Sequence, residues 1–161
     1  MPDDIAVRIT GLVEARQKMD QIARDLHGRE MQSGMREATM LVTNTARREA
    51  PVDTGRLRAS ITPEVRVEGK DMVGIVGSNV MYAPYMELGT GIYAGRSPYF
   101  PPPSALEVWA KRHGTTGYIV ALAIFRAGGL KPREFLKHGF ERNESRIVEL
   151  IGNVVTRIVK K

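Results

Sequence analysis

Ala50-Pro51-Val52-Asp53-Thr54-Gly55-Arg56-Leu57-Arg58-Ala59-Ser60-Ile61 is the stretch at which the chain changes its period. Before it, Met31, Met35, Ala38, Val42, Thr45 and Ala46 recur every three or four residues, the spacing of one stripe on a helix. After it, Val65 and Val67 alternate with Glu64, Arg66 and Glu68. Val73, Ile75 and Val76 follow across a hairpin turn at Gly69-Lys70-Asp71. Pro51 ends the helix, because the residue ahead of a proline is pushed out of the α region. Asp53 or Thr54 then offers a side-chain oxygen to the free amides of a short helix running through Ser60. A long amphipathic helix delivered into a hairpin (61–77) by so short a connection implies an α+β fold.

Upstream, Ile5, Val7 and Ile9 alternate with Ala6, Arg8 and Thr10, which predicts a strand over 4–10. From Leu12 the period becomes helical (Leu12, Ala15, Met19, Ile22, Leu26), so 12–50 reads as two helices, with Gly28 as the C-terminal cap of the first. The expected sheet is therefore small and antiparallel, about three strands, packed against long amphipathic helices.

Downstream, 78–103 reads as a mobile loop region. It begins with a short helical or turn segment, Tyr82 to Leu88, and continues through the glycine-rich run Gly89-Thr90-Gly91-Ile92-Tyr93-Ala94-Gly95-Arg96-Ser97. Pro101-Pro102-Pro103 opens a helical insert over 104–127. Leu106, Trp109 and Ala110 form the apolar side of its first helix. The second, from about Thr116 to Ala127, is apolar nearly all round and calls for burial on more than one side. Beyond Gly128-Gly129, one long terminal helix is expected within 133–161, with a stripe of Phe135, Phe140, Ile147, Leu150, Ile151, Val154 and Ile158. The whole chain, 1–161, is read as a single domain.

The 161 residues suit one domain, and 42% apolar with 26% charged residues is globular composition. Cysteine is absent, which excludes a disulfide framework, thiolate metal ligands and a cysteine nucleophile. No apolar run approaches the ~20 residues that span a bilayer, so no membrane partner is expected. The acidic start Met1-Pro2-Asp3-Asp4 lacks the basic and apolar regions of a signal peptide, and synthesis in the cytosol is the expectation. The net charge of +6 arises wholly in residues 101–161, which hold 11 Lys/Arg against 5 Asp/Glu. A basic third on a neutral body leaves open a nucleic-acid partner, an acidic partner or plain solvation.

Little in the chain promises chemistry. His27, His113 and His138 lack the spacing of a helical metal pair, and no serine sits in a Gly-x-Ser-x-Gly elbow. No phosphate-binding loop exists, and Gly89-Thr90-Gly91 with Gly95 misses the dinucleotide pattern by one position. Asp53-Thr54-Gly55 repeats the tripeptide of aspartic proteases, in which two carboxylates share a proton. Here Arg56 and Arg58 follow closely and would hold the carboxylates ionised, so capping is preferred over catalysis. No catalytic residue, metal site or cofactor is expected.

Four segments in order carry a resemblance. Ala50–Ile61 is similar to the signature of a tailed-bacteriophage morphogenesis family of neck, head–tail joining and tail-completion proteins. Its type member is the tenth gene product of a lambdoid coliphage. Ile9-Thr10-Gly11-Leu12 resembles the family's entry into its first helix, and Tyr82-Ala83-Pro84-Tyr85-Met86-Glu87-Leu88-Gly89-Thr90 its central motif. Pro132-Arg133-Glu134-Phe135-Leu136 resembles the segment before the last helix, with Glu134 where the family usually has a second proline. The insert 104–127 is longer than in compact members.

The resemblance implies a non-enzymatic virion protein: a ring of identical subunits at the neck, the head-proximal end of the tail, assembled in the host bacterial cytoplasm. It would contact other neck and tail proteins and let genomic DNA pass without sequence-specific binding. On that reading the basic helices of 104–161 face mostly outward or toward a partner ring, since dense phosphate contacts would stall passage. Structural roles fall to Asp53, Thr54 and Gly55 (the angle between long helix and strands) and to Tyr82, Tyr85, Glu87 and Gly89 (the start of the loop). Glu87 is expected to pair with an arginine of the same or the next subunit. Pro132, Phe135 and Leu136 would dock the last helix on the sheet. The alternative is a cytosolic nucleic-acid-binding protein using the basic C-terminal third.

Overall fold

The computed structural model describes residues 11–161. The strand expected over 4–10 lies outside them. Two helices, α1 (Leu12–Asp25) and α2 (Arg29–Glu49), precede a short α3 (Arg56–Ser60). An antiparallel hairpin follows, β1 (Ile61–Glu68) paired with β2 (Asp71–Ser78). Then come α4 (Ala83–Leu88), a 3-10 turn (Gly91–Ala94), α5 (Pro103–Arg112), α6 (Gly117–Arg126), α7 (Phe135–Glu141) and α8 (Glu144–Val159). The fold is α+β, with a sheet of two strands among the described residues where about three were expected.

The axis of the molecule is α2. Its stripe Met31, Ala38, Val42 and Ala46 is buried, and the hydroxyls of Thr39 and Thr43, also buried, bond back to carbonyls three or four residues earlier. Those back-bonds let threonines line an apolar face without stranded donors. Around the C-terminal half of α2 a core forms from Ala46, Ala50, Leu57, Ile61, Val80, Ala83 and Phe135. Around its N-terminal half, Met31 packs with Val154 and Ile158 of α8. The hairpin lies across the middle. Its register pairs Ile61 with Ser78 and Glu68 with Asp71, so the turn is Gly69-Lys70.

Three expectations are corrected. Gly28 does not cap α1 in a left-handed conformation; its extended backbone (φ −79°, ψ −179°) makes it the N-cap of α2. The terminal helix is not continuous, because the chain breaks at Arg142-Asn143 between α7 and α8. There the Asn143 side chain donates to Gly139 O (2.7 Å) and to Thr45 Oγ1 (3.0 Å) on α2. An amide side chain that bonds locally competes with the helical ladder, and tying it to α2 fixes the bend. Gly139 sits where a Cβ would meet Ala46 Cβ and Val42 O at 3.0 Å, so it permits close helix packing.

The third concerns the glycine-rich run, expected as a mobile loop. Thr90 N–H donates to Leu130 O (2.9 Å), Ile92 N–H to Gly128 O (2.9 Å), and Leu130 N–H to Thr90 Oγ1 (2.8 Å). These bonds strap the start of the excursion to its end. Gly91 (φ +59°) is required, since a Cβ there would lie 1.9 Å from Gly128 O.

Beyond the strap, α5 and α6 pack on one another. The Glu107 carboxylate accepts from Gly117 N–H (2.8 Å), and Ala110, Ala121 and Ile124 are buried. The burial expected on several sides of α6 is not met among the described residues: Tyr118, Ile119 and Phe125 remain exposed. Phe100 reaches back to within 6.0 Å of Tyr118 and 6.1 Å of Phe125, ring centre to ring centre.

Candidate functional site

The segments 50–61, 80–90 and 130–136 meet in one place. Phe135 is the keystone, fully buried against α2, α3, the start of β1 and the Val80–Ala83 turn. Its position follows from what precedes it. Arg133 N–H donates to Met86 O (2.8 Å) and Glu134 N–H to Glu87 O (3.2 Å), so the last residues of α4 act as a short template for the chain entering α7. Glu134 takes a left-handed conformation (φ +47°) to make that turn, which is uncommon for a residue with a side chain.

Both oxygens of Glu87 then accept from the first amides of α7, Leu136 N–H at 2.9 Å and Lys137 N–H at 3.0 Å. No arginine of the same chain pairs with it among the described residues. A carboxylate at a helix N-terminus satisfies two orphan donors and meets the positive end of the helix dipole. Glu107 accepts one such amide, Gly117 N–H at the start of α6, so each of these helices has a glutamate from an earlier one at its N-terminus. Gly89 (φ +73°) is buried, and a Cβ on it would lie 2.6 Å from Leu130 O and 2.9 Å from Pro132 N. It is the contact point of the central motif with the last one. Pro132 and Leu136 are half-buried, Leu136 against the core around Phe135.

Tyr82 and Tyr85 behave otherwise. Both are exposed, at 42% and 57%, and they stand on the outside of α4. At the Asp53 turn, Gly55 (φ +80°) is the N-cap of α3, and Thr54 Oγ1 sits 3.4 Å from Arg56 N. Asp53 does not cap. It pairs with Arg112 at the end of α5, the side-chain link between this turn and the α5–α6 pair.

Sequence reasoning missed Arg47. From the last turn of α2 its guanidinium donates twice to Ile61 O, at 3.0 and 2.7 Å, and so bridges the turn that Asp53, Thr54 and Gly55 form. A basic residue in the last helical turn is its only signal in the sequence, and that signal is common.

The basic C-terminal third is largely spoken for. Lys111, Arg112, Lys137, Arg142, Arg157 and Lys161 are in ion pairs, and those of Arg112, Arg142, Arg157 and Lys161 reach Asp53, Glu49 and Glu30 in the first hundred residues. Lys137 is exposed, and its hydrogen bond to Glu134 raises its pKa above the ordinary lysine value. No cluster of three metal-ligating side chains exists among the described residues, and no helix there is long and apolar enough to cross a membrane.

No curated protein and no solved structure matches the chain. A family model does: residues 14–89 match HK97-gp10_like, described as "Bacteriophage HK97-gp10, putative tail-component". The match takes in α1, α2, the Ala50–Ile61 segment, the hairpin and the central motif as far as Gly89. Ile9–Leu12 and Pro132–Leu136 fall outside it. Over residues 14–89, a little under half of its length, the chain is therefore similar to the bacteriophage tail-component family that this model describes.

Proposed function

We propose that the chain is a non-enzymatic virion subunit that forms a ring at the neck, the head-proximal end of a phage tail, and takes part in head–tail joining or tail completion. The family match over residues 14–89 carries the reading. Surplus apolar surface supports self-association: Leu12, Val13 and Met19 on α1, Tyr82 and Tyr85 on α4, and Tyr118, Ile119 and Phe125 on α6 are all exposed. A chain of this size that leaves so much apolar surface uncovered is suited to contact copies and neighbours.

On this reading Asp53, Thr54, Gly55, Glu87, Gly89, Pro132, Phe135 and Leu136 are framework residues of a single domain, and Tyr82 and Tyr85 face other tail or neck proteins. Assembly takes place in the host cytoplasm, and the finished ring surrounds passing DNA without reading it. The ion pairing of the C-terminal third disfavours the alternative of a nucleic-acid-binding protein, since paired cations release fewer counterions on contact with phosphate.

Deleting the gene tests the reading. Electron micrographs of the lysate should show filled heads and unjoined tails, or tails with aberrant head-proximal ends. Normal infectious particles from the deletion would refute it.

A further inference from the structure

Two of the uncovered apolar surfaces among the described residues differ in shape. One is a ridge. None of residues 12–25 is buried, and Leu12, Ala15, Met19 and Ile22 form a stripe on α1, which joins the body at Leu26 beside Val154 and Ile158. The other is a groove of about 290 Å³ floored by α2, with Met35, Val42, Val76, Leu136, Phe140 and Ile147 around it. Phe140 on its wall is 51% exposed.

We infer that the groove receives α1 of a second copy of this chain. The dimensions agree: Leu12 to Met19 and Met35 to Val42 each span seven residues, about 10 Å of helix. Charges agree too. Arg16 and Lys18 flank the stripe of α1, while Glu141 follows Phe140 in the chain and Glu144 lies one turn before Ile147 on α8, and none of the four is ion-paired among the described residues. Helix-in-groove docking with anchors at i, i+3 and i+7 is a recurrent mode of recognition.

Ridge and groove are different patches of one molecule, so the contact is head-to-tail and repeats until a ring closes. One 14-residue helix covers less than the ~800 Å² per partner of a standard interface. A single contact is therefore weak, and closure, which gives every subunit two, is what makes it persist. The inference rests on the ring reading and supplies its interface.

The chain has no cysteine, which makes the test clean. Met19→Cys and Phe140→Cys are placed together in the full chain and separately as controls, and each protein is mildly oxidised. A ladder of covalent multimers from the double variant, absent from both single variants, is the expected result. Arg16→Glu should weaken the ladder severalfold, and Glu144→Arg in the same chain should restore it. A disulfide that leaves the double variant at monomer mass would put α1 in its own groove and overturn the inference. Dimers from Met19→Cys alone, with no ladder from the double variant, would indicate an α1-to-α1 contact and also overturn it. Rings seen by light scattering and microscopy without a ladder would refute this interface and leave the ring reading standing. Monomers without a ladder would refute the interface as well, and the deletion phenotype would decide the ring reading separately.

Discussion

Glu87 closes the N-terminus of a helix that begins forty-eight residues later in the chain: its two carboxylate oxygens hold the amides of Leu136 and Lys137. Removing it strands two donors at the point where the central motif meets the last one. Glu87→Ala should lower stability by about 2 kcal/mol, the range of hydrogen bonds to charged acceptors. Glu87→Gln, which keeps one acceptor oxygen and no charge, should fall between. Urea unfolding followed by circular dichroism measures both, and equal midpoints for Ala and wild type would show the cap to be idle.

Phe135 is fully buried in the core that α2, α3 and β1 share. Phe135→Ala should cost about 3–5 kcal/mol, as large-to-small changes of buried aromatics do. Phe140→Ala, at an exposed position five residues on in the same helix, should cost far less. Thermal melts of the two variants side by side make the comparison.

The strap at Thr90–Ile92 and Gly128–Leu130 leaves no room for a side chain at Gly91. Gly91→Ala should loosen it and expose 91–102 to proteolysis, with the first cleavage in that segment. The hairpin and α2 should keep their far-UV signal. Limited trypsin digestion, with Arg96 as the reporter bond, reads the outcome; an unchanged digestion pattern would count against the strap.

Asp53 and Arg112 form an ion pair with both side chains partly exposed, at 33% and 45%. Solvent screening limits such pairs to about 1 kcal/mol or less. A double-mutant cycle with Asp53→Ala and Arg112→Ala should return a small coupling that shrinks as salt is added. Asp53→Asn should leave any peptide substrate as untouched as the wild type does.

With six of the eleven C-terminal basic residues in ion pairs, duplex DNA should be retained only at low ionic strength. Filter binding at rising salt measures this. Firm retention near 0.15 M would return the nucleic-acid reading to contention.

What could be read in advance was whatever depends on neighbours in the chain. The stripe of α2, the hairpin and its turn, and the break at Pro51 follow from local periodicity and backbone sterics, and they stand where they were expected. Contacts between distant residues were illegible. Glu87 as the cap of α7, Asn143 bent onto Thr45 and Arg47 bonded to Ile61 all depend on a partner that only the folded chain brings near. Gly28 misled because glycine serves the end of one helix and the start of the next almost equally well, and only the backbone angles separate the two. Gly89–Ser97 misled for a related reason: glycines that permit motion also permit backbones to touch, and here they touch.

The strap has an architectural corollary. The chain leaves at Thr90 and returns at Leu130 through the same doorway, so the backbone between is attached to the trunk at one place, with the Asp53–Arg112 ion pair as a side-chain tether further out. Lengthening or shortening such an appendage alters the entropy of closing it only logarithmically. Evolution is thus free to trade the α5–α6 pair for something larger, smaller or differently shaped without redesigning the trunk, and a graft of foreign sequence at this spot is the natural place to hang cargo on the subunit.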